Sequence, residues 1–302
     1  MEYNEYSPRY QQRVIELLNI CFQNKNVTKK SFIWKHFDPI FCGKSIGMVA
    51  VDRGNVCSFV CFTPLTITDK KKVCKNIYSC AVQATHPHYR RKGIVSHLTE
   101  IIESKLNSRP IDYIGFSNTD GLKIDLFSKR INYKIIGQMA TQYVPSFISI
   151  DTSLDVKRVK RIPSSFIHYA PYYCIKKNAD YIRWRYVNNP KTEFIIFEIC
   201  DKNTSVGFII CIDGYLKYSV VDILAKNFDS KILSKIVKAF SYYAIKNGKP
   251  FISYSYLQNS FWDGIFPFFS IRRLLPIYVT FKTAKHIMLQ KENWIIQEGD
   301  IQ

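Results

Sequence analysis

Tyr89-Arg90-Arg91-Lys92-Gly93-Ile94-Val95-Ser96 lies where one periodicity of the chain gives way to another. Upstream, residues 76–85 form a mostly apolar run of strand length. His86-Pro87 ends it, because proline restricts the residue before it and brings no N–H to a ladder. Downstream, Ile94, Val95, Leu98, Ile101, Ile102 and Leu106 recur at helical spacing, so a helix is expected from about Gly93 to Leu106. The quoted stretch is therefore a strand-to-helix turn. The first turn of a helix leaves N–H groups unpaired, and the helix dipole favours an anion there. Gly93 lets the backbone approach an oxyanion closely. Arg90, Arg91 and Lys92 add three adjacent cations suited to phosphate. The unit reads as a diphosphate cradle. It contains neither GxxxxGK[ST] nor GxGxxG, which excludes a P-loop and a dinucleotide fingerprint.

The flanking sequence supplies the rest of an α/β fold. Ser7-Pro8 opens a helix whose apolar residues are Val14, Leu17, Leu18, Cys21 and Phe22. Strands are expected over 45–52 and 56–66, joined at Arg53-Gly54-Asn55 as a hairpin. After the helix come a strand at 113–117, a short helix at 124–130 and closing strands within 133–145. Residues 151–163 are polar and basic, and the domain boundary is expected there. That gives a first domain over 1–150 and a second over 160–302. The second half repeats the order, with strands at 193–200, 206–212 and 218–224. A helix carrying Leu233, Ile236, Val237, Phe240 and Ala244 follows, then strands at 251–256 and 278–288. Phe32-Ile33-Trp34-Lys35-His36-Phe37-Asp38-Pro39 parallels the stretch from Tyr181 to Pro190: tryptophan, a base, an aromatic ring, then proline. This is a weak internal repeat, two similar domains side by side.

Composition narrows the class. The chain has 302 residues, 47% of them hydrophobic, enough for a substantial core. A net charge of +19 favours an anionic partner, yet the basic residues are scattered and no DNA- or RNA-binding signature accompanies them. The nine cysteines include no CxxC pair, so reduced core residues are expected rather than disulfides or a metal site. No apolar run reaches bilayer length and the start is polar, which reads as cytoplasmic.

The stretch Val82-Gln83-Ala84-Thr85-His86-Pro87-His88-Tyr89-Arg90-Arg91-Lys92-Gly93-Ile94-Val95-Ser96-His97-Leu98 resembles the GNAT superfamily, whose pattern R/Q-x-x-G-x-G/A follows its fourth strand. Arg90 and Gly93 match it, and Val95 replaces the second Gly/Ala. A β-branched side chain there leaves the backbone accessible only if it turns into the core. Phe116-Ser117-Asn118 is similar to the family's fifth-strand end, and Phe127 to Tyr133 to its F-Y-x-K-x-G-F segment, with Ser128 at the position of the acid tyrosine. The resemblance implies an α/β fold: two GNAT-like domains in tandem, each a mostly antiparallel mixed sheet flanked by helices. It implies an N-acetyltransferase that uses acetyl-CoA as acyl donor to a small-molecule primary amine, such as a free or nucleotide-linked amino sugar of a surface glycan pathway. The backbone of Val82, Gln83 and Ala84 would hold pantetheine and thioester. Arg90, Arg91, Lys92, Gly93, Ile94, Val95 and Ser96 would hold the pyrophosphate, and Asn118 the cofactor or acceptor. His86 is the candidate base, and Ser128 or Tyr133 the candidate acid. Leu224 to Asp229, the matching turn of the second half, has no glycine, and Asp229 would repel phosphate. The alternatives are a Fem-type transferase using aminoacyl-tRNA, which the basic charge favours, and a non-catalytic protein of the same fold, which Val95 and Ser128 favour.

Overall fold

The computed structural model describes all residues except 24–25, 39–42, 69–73, 107–111, 118–132, 148–152, 167, 169–171, 259, 267–269, 283–289, 291, 293, 298–299 and 302. The expected short helix at 124–130 lies outside the described residues.

The first half contributes strands β1 (Glu2–Glu5), β2 (Ile46–Asp52), β3 (Asn55–Thr68), β4 (Cys74–Thr85), β5 (Tyr113–Ser117) and β6 (Lys134–Pro145). Its helices are α1 (Gln11–Cys21), α2 (Lys29–His36) and α3 (Ile94–Leu106). The hairpin between β2 and β3 turns at Arg53 and Gly54, both at positive φ, as a tight two-residue turn requires. In α2, the Thr28 side chain takes the Ser31 N–H while the Ser31 hydroxyl takes that of Thr28, a capping box. The second half contributes β7 (Asp155–Val159), β8 (Cys174–Ile175), β9 (Ile195–Asp201), β10 (Thr204–Asp213), β11 (Lys217–Ala225), β12 (Phe251–Leu257) and β13 (Ile271–Lys282). Its helices are α4 (Ala179–Ile182), continued by a π turn over Arg183–Val187, and α5 (Ser230–Lys246).

Twelve of these strands form one path, β1-β2-β3-β4-β5-β13-β6-β12-β11-β10-β9-β7, with β8 paired to β3 off it. The mixed, mostly antiparallel sheet flanked by helices is the expected class. α1 and α2 pack on one face over Val49, Val51, Phe59 and Cys61. α3 covers the other over Met48, Ala50, Val60 and Phe62. α5 covers the second half over Phe197, Ile209 and Ile223.

Three features differ from the sequence reading. The first is strand exchange: β13, from the end of the chain, lies between β5 and β6, and β6 in turn pairs with β12. Each half completes the sheet of the other, so the boundary expected within residues 151–163 divides the chain but not the sheet. Second, the polar segment where the domain boundary is expected contains β7, an edge strand whose Lys157 and Arg158 stay exposed; cations on an edge discourage further pairing. Third, the polar start forms β1 on the opposite edge, paired with β2. Cys21, Cys57, Cys61, Cys80, Cys174, Cys200 and Cys211 are free.

The internal repeat is visible as symmetry. Trp34 Nε1 donates to the Trp184 carbonyl at 2.9 Å, and Trp184 Nε1 donates to the Trp34 carbonyl at 2.8 Å. The two indoles stack with centroids 5.4 Å apart. Replacing Trp34 by phenylalanine keeps a ring but removes the indole N–H that the Trp184 carbonyl accepts, and it thins the stack. The expected loss is about 2 kcal/mol of unfolding free energy in urea titration.

Candidate functional site

β4 and β5 run parallel, in register only from Tyr78↔Tyr113 to Cys80↔Gly115. The pairing of β3 with β4 skips Ala81, which sits in a β-bulge. Bulges bend a strand and raise its twist. Beyond Ala81, β4 therefore leaves β5 and stays on β3, from Cys61↔Val82 to Ser58↔Thr85. A wedge opens between the parallel strands. Ladder alternation turns the N–H and C=O of Gln83 and Thr85 to the wedge, and those of Val82 and Ala84 back to β3. The contacts agree: the Ala84 carbonyl accepts from Ser58 Oγ at 2.8 Å, whereas the Thr85 carbonyl accepts from Arg90 Nε at 3.2 Å. Of the three residues expected to hold a ligand through their backbone, only Gln83 faces the wedge. Val82 and Ala84 pack their side chains on the α1 face.

The turn after β4 is held from outside. The Tyr89 hydroxyl donates to Asp52 Oδ2 at 2.8 Å, and that bond raises the phenol's pKa. Arg91 has φ +65° and Gly93 φ +76°. Two left-handed residues so close together are a backbone pattern in which successive N–H groups can curl into a concavity suited to an anion. Gly93 immediately precedes α3 and has no side chain to fill the space at the helix start. Arg90, Arg91 and Lys92 are all exposed there. The Arg90 guanidinium also ties the end of β4, and Lys92 Nζ lies 5.0 Å over the Tyr89 ring. Ile94 is buried in the α3 core and Val95 packs against that core, so the β-branched side chain turns away from the helix start. Ser96 is half-buried on the first turn. These groups suit a chain of amides ending in a diphosphate: a strand edge for the amides, a glycine turn and cations for the phosphates.

The expected acid–base groups are not gathered at one point. His86 Nδ1 accepts the His88 N–H at 3.4 Å, so the ring caps the short turn Pro87–Tyr89. It stands five residues past the bulge, about 16 Å along the strand, at the cradle end of the wedge rather than its vertex. Tyr133 is buried on the α3 side, 6.2 Å from Tyr113 between ring centroids. Burial, then Cys80, Glu103 and Tyr113, hold its phenol well above the usual range. Asn118 and Ser128 lie outside the described residues.

The second half holds groups that periodicity did not single out. Asp222, fully buried in β11, accepts from Lys177 Nζ at 2.5 Å and from the Tyr186 hydroxyl. Lys177 Nζ is also 2.9 Å from Asp300 Oδ1. A carboxylate inside Val220-Val221-Asp222-Ile223-Leu224 was the available signal, since a buried charge demands a partner. A groove of 530 Å³ runs beside β7, lined by Arg158, Lys160, Tyr186, Asn189 and Lys191. It follows the segment after Trp184, whose indole is itself packed in the core.

A bulged strand parting from its parallel neighbour occurs twice along one sheet, with a helix after each turn and the glycine in the first copy alone; this is the tandem GNAT fold. Residues 2–113 match the family model described as Acetyltransferase (GNAT) domain. No curated protein matches the sequence. Among solved structures, a probable N-acyltransferase of Enterococcus faecalis superposes with TM-score 0.73 at 10% identity, over 97% of this chain and 74% of that one. A GCN5-related N-acetyltransferase of Anabaena variabilis gives 0.68 at 12% identity, over 94% and 73%. A tandem GNAT protein from the clavulanic acid biosynthesis pathway gives 0.57 at 8% identity, over 94% and 99%. At these identities the superpositions speak for the fold.

Proposed function

We propose that the chain is an N-acetyltransferase that takes acetyl-CoA in the wedge between β4 and β5 and presents its acyl group to a primary amine. The observation that carries this reading is the continuity of the wedge edge at Gln83 with the left-handed turn at Gly93. The donor supplies the activated thioester. The Gln83 N–H and C=O hold its amide chain, while Gly93, the start of α3 and the cations at 90–92 neutralise the diphosphate. The vertex at the Ala81 bulge is where the amine meets the thioester carbonyl. His86 belongs with the phosphate end in this arrangement and is given no part in proton transfer. A free or nucleotide-linked amino sugar remains the proposed acceptor class, and the free cysteines favour a cytoplasmic setting. Among the described residues, no helix is long and apolar enough to cross a membrane.

Calorimetric titration with acetyl-CoA tests the reading. One site per chain is expected, with free thiol released when an amine panel is added. Absence of binding would remove the proposal. Binding without thiol release would favour a non-catalytic role.

A further inference from the structure

The second half repeats the wedge. β11 and β12 run parallel from Lys217↔Phe251 to Val220↔Tyr254 and then part. The pairing of β10 with β11 skips Val221, a bulge in the same relation to its strand as Ala81. Thr85 and Ala225 each end their strand four residues past the bulge. Ile223 therefore stands where Gln83 stands, and Ala225 where Thr85 stands.

Here the edge is occupied by the chain itself. The Ile223 N–H donates to Gln297 Oε1 at 2.8 Å, and Gln297 Nε2 donates to the Ile223 carbonyl at 3.2 Å. A primary amide thus makes with one strand residue the two bonds that a neighbouring strand would make. On the opposite side, Gln297 forms a bridge with Tyr256, and the Leu257 N–H donates to the Ile296 carbonyl at 3.0 Å. The end of the chain lies between both strands. A cavity of only 10 Å³ remains beside it, among Val220, Ile223, Tyr254, Trp262 and Phe266. The next wedge-facing residue is satisfied too, since the Ala225 N–H donates to His168 Nδ1 at 3.2 Å. At the helix start, Asp229 Oδ1 accepts from Lys231 N and Ile232 N, so a carboxylate already sits where a phosphate would. Fully buried Trp294, Ile295 and Ile296 anchor the segment on one side. Asp300 fixes it on the other, accepting the Gln297 N–H at 2.9 Å and pairing with Lys177.

We propose that the wedge between β11 and β12 is a carboxamide-binding site that the chain fills with its own Gln297, making the second half a self-liganded copy of the first-half cleft. The site's ligand class is a primary or secondary amide on a slender chain, and the glutamine side chain supplies one in cis. This inference uses no property of the first cleft beyond its register and stands whether or not acetyl-CoA binds there.

The test uses the full chain with Gln297→Ala, which opens the slot, and Gln297→Leu, which fills it without an amide. Hydrogen exchange at the Ile223 amide is the readout, with acetamide as the probe. In both variants exchange at Ile223 is expected to quicken at least tenfold, while Ala225, held by His168, stays slow. Acetamide should restore protection in the alanine variant and leave the leucine variant unchanged. Wild-type exchange rates at Ile223 in either variant would overturn the proposal. So would an alanine variant that acetamide leaves unprotected, or equal slowing of both. Should the alanine variant fail to fold, the leucine variant alone decides: faster exchange at Ile223 supports the site, and an unchanged rate overturns it.

Discussion

Replacing Gly93 by glutamate is expected to abolish acetyl-CoA binding in calorimetric titration, a loss of at least about 100-fold, or about 2.7 kcal/mol. Two effects act together. Gly93 has φ +76°, where a Cβ costs about 1–2 kcal/mol. The glutamate also brings a negative charge to the start of α3, where the donor's diphosphate is proposed to lie, and like charges at close range repel. Gly93→Ala separates the two. It carries the strain without the charge, and about tenfold weaker binding is expected if the turn relaxes to relieve it. If the backbone holds instead, the strain appears as a lower Tm with affinity retained, so both quantities are read on one sample. Arg90→Ala is expected to be milder, because the guanidinium also braces the Thr85 carbonyl at the end of β4. Binding by Gly93→Glu at wild-type strength would move the phosphate site elsewhere.

Lys177→Met is expected to destabilise the fold by about 3–5 kcal/mol near neutral pH, the usual cost of removing one partner from a buried ion cluster. Lys177, Asp222 and Asp300 have side chains no more than 1% exposed. Burial opposes the charge on Lys177, but Asp222 and Asp300 outweigh it and raise its pKa. Its stabilising contribution is therefore complete below its unfolded value of about 10.4 and is lost as pH rises beyond that. Burial pushes Asp222 up to about 6 even with the lysine present. Without it, the carboxylates face each other in the core and that shift grows. A carboxyl whose folded pKa lies above its unfolded value, about 3.9, binds a proton in the folded state that the unfolded chain has already released. Stability then falls as pH rises through that interval. The deficit of Lys177→Met should thus be smaller near pH 4–5 than at pH 8, measured by urea unfolding at each. A deficit independent of pH would mean that packing, not charge, explains the loss.

The cluster also bears on how the two halves came to differ. Asp222 occupies the register position of Val82, one residue before the wedge-facing Ile223. In the first half that position is apolar and packs on the α1 face. In the second it carries the charge that, through Lys177, retains Asp300 and with it the Gln297 segment.

What the sequence determined by itself was local. The strand before His86-Pro87, the turn at Gly93 and the apolar stripe of α3 depend on residues a few places apart, and backbone sterics read such patterns directly. The repeat was legible at Trp34 and Trp184 for the same reason, since each sits in its own short motif. Tertiary structure alone decided three things. β13 entered between β5 and β6 because two strand edges were left unpaired there, and no periodicity in 271–282 names its partner. β1 and β7 formed at the outer edges from polar residues because pairing with β2 and β9 satisfies their backbone. Gln297 reached Ile223 because buried Trp294, Ile295 and Ile296 and the Asp300–Lys177 pair carry it there. Strand partners and cleft occupants are chosen by which backbone groups and apolar faces would otherwise stay unsatisfied after collapse, and that choice is made between segments far apart in the chain.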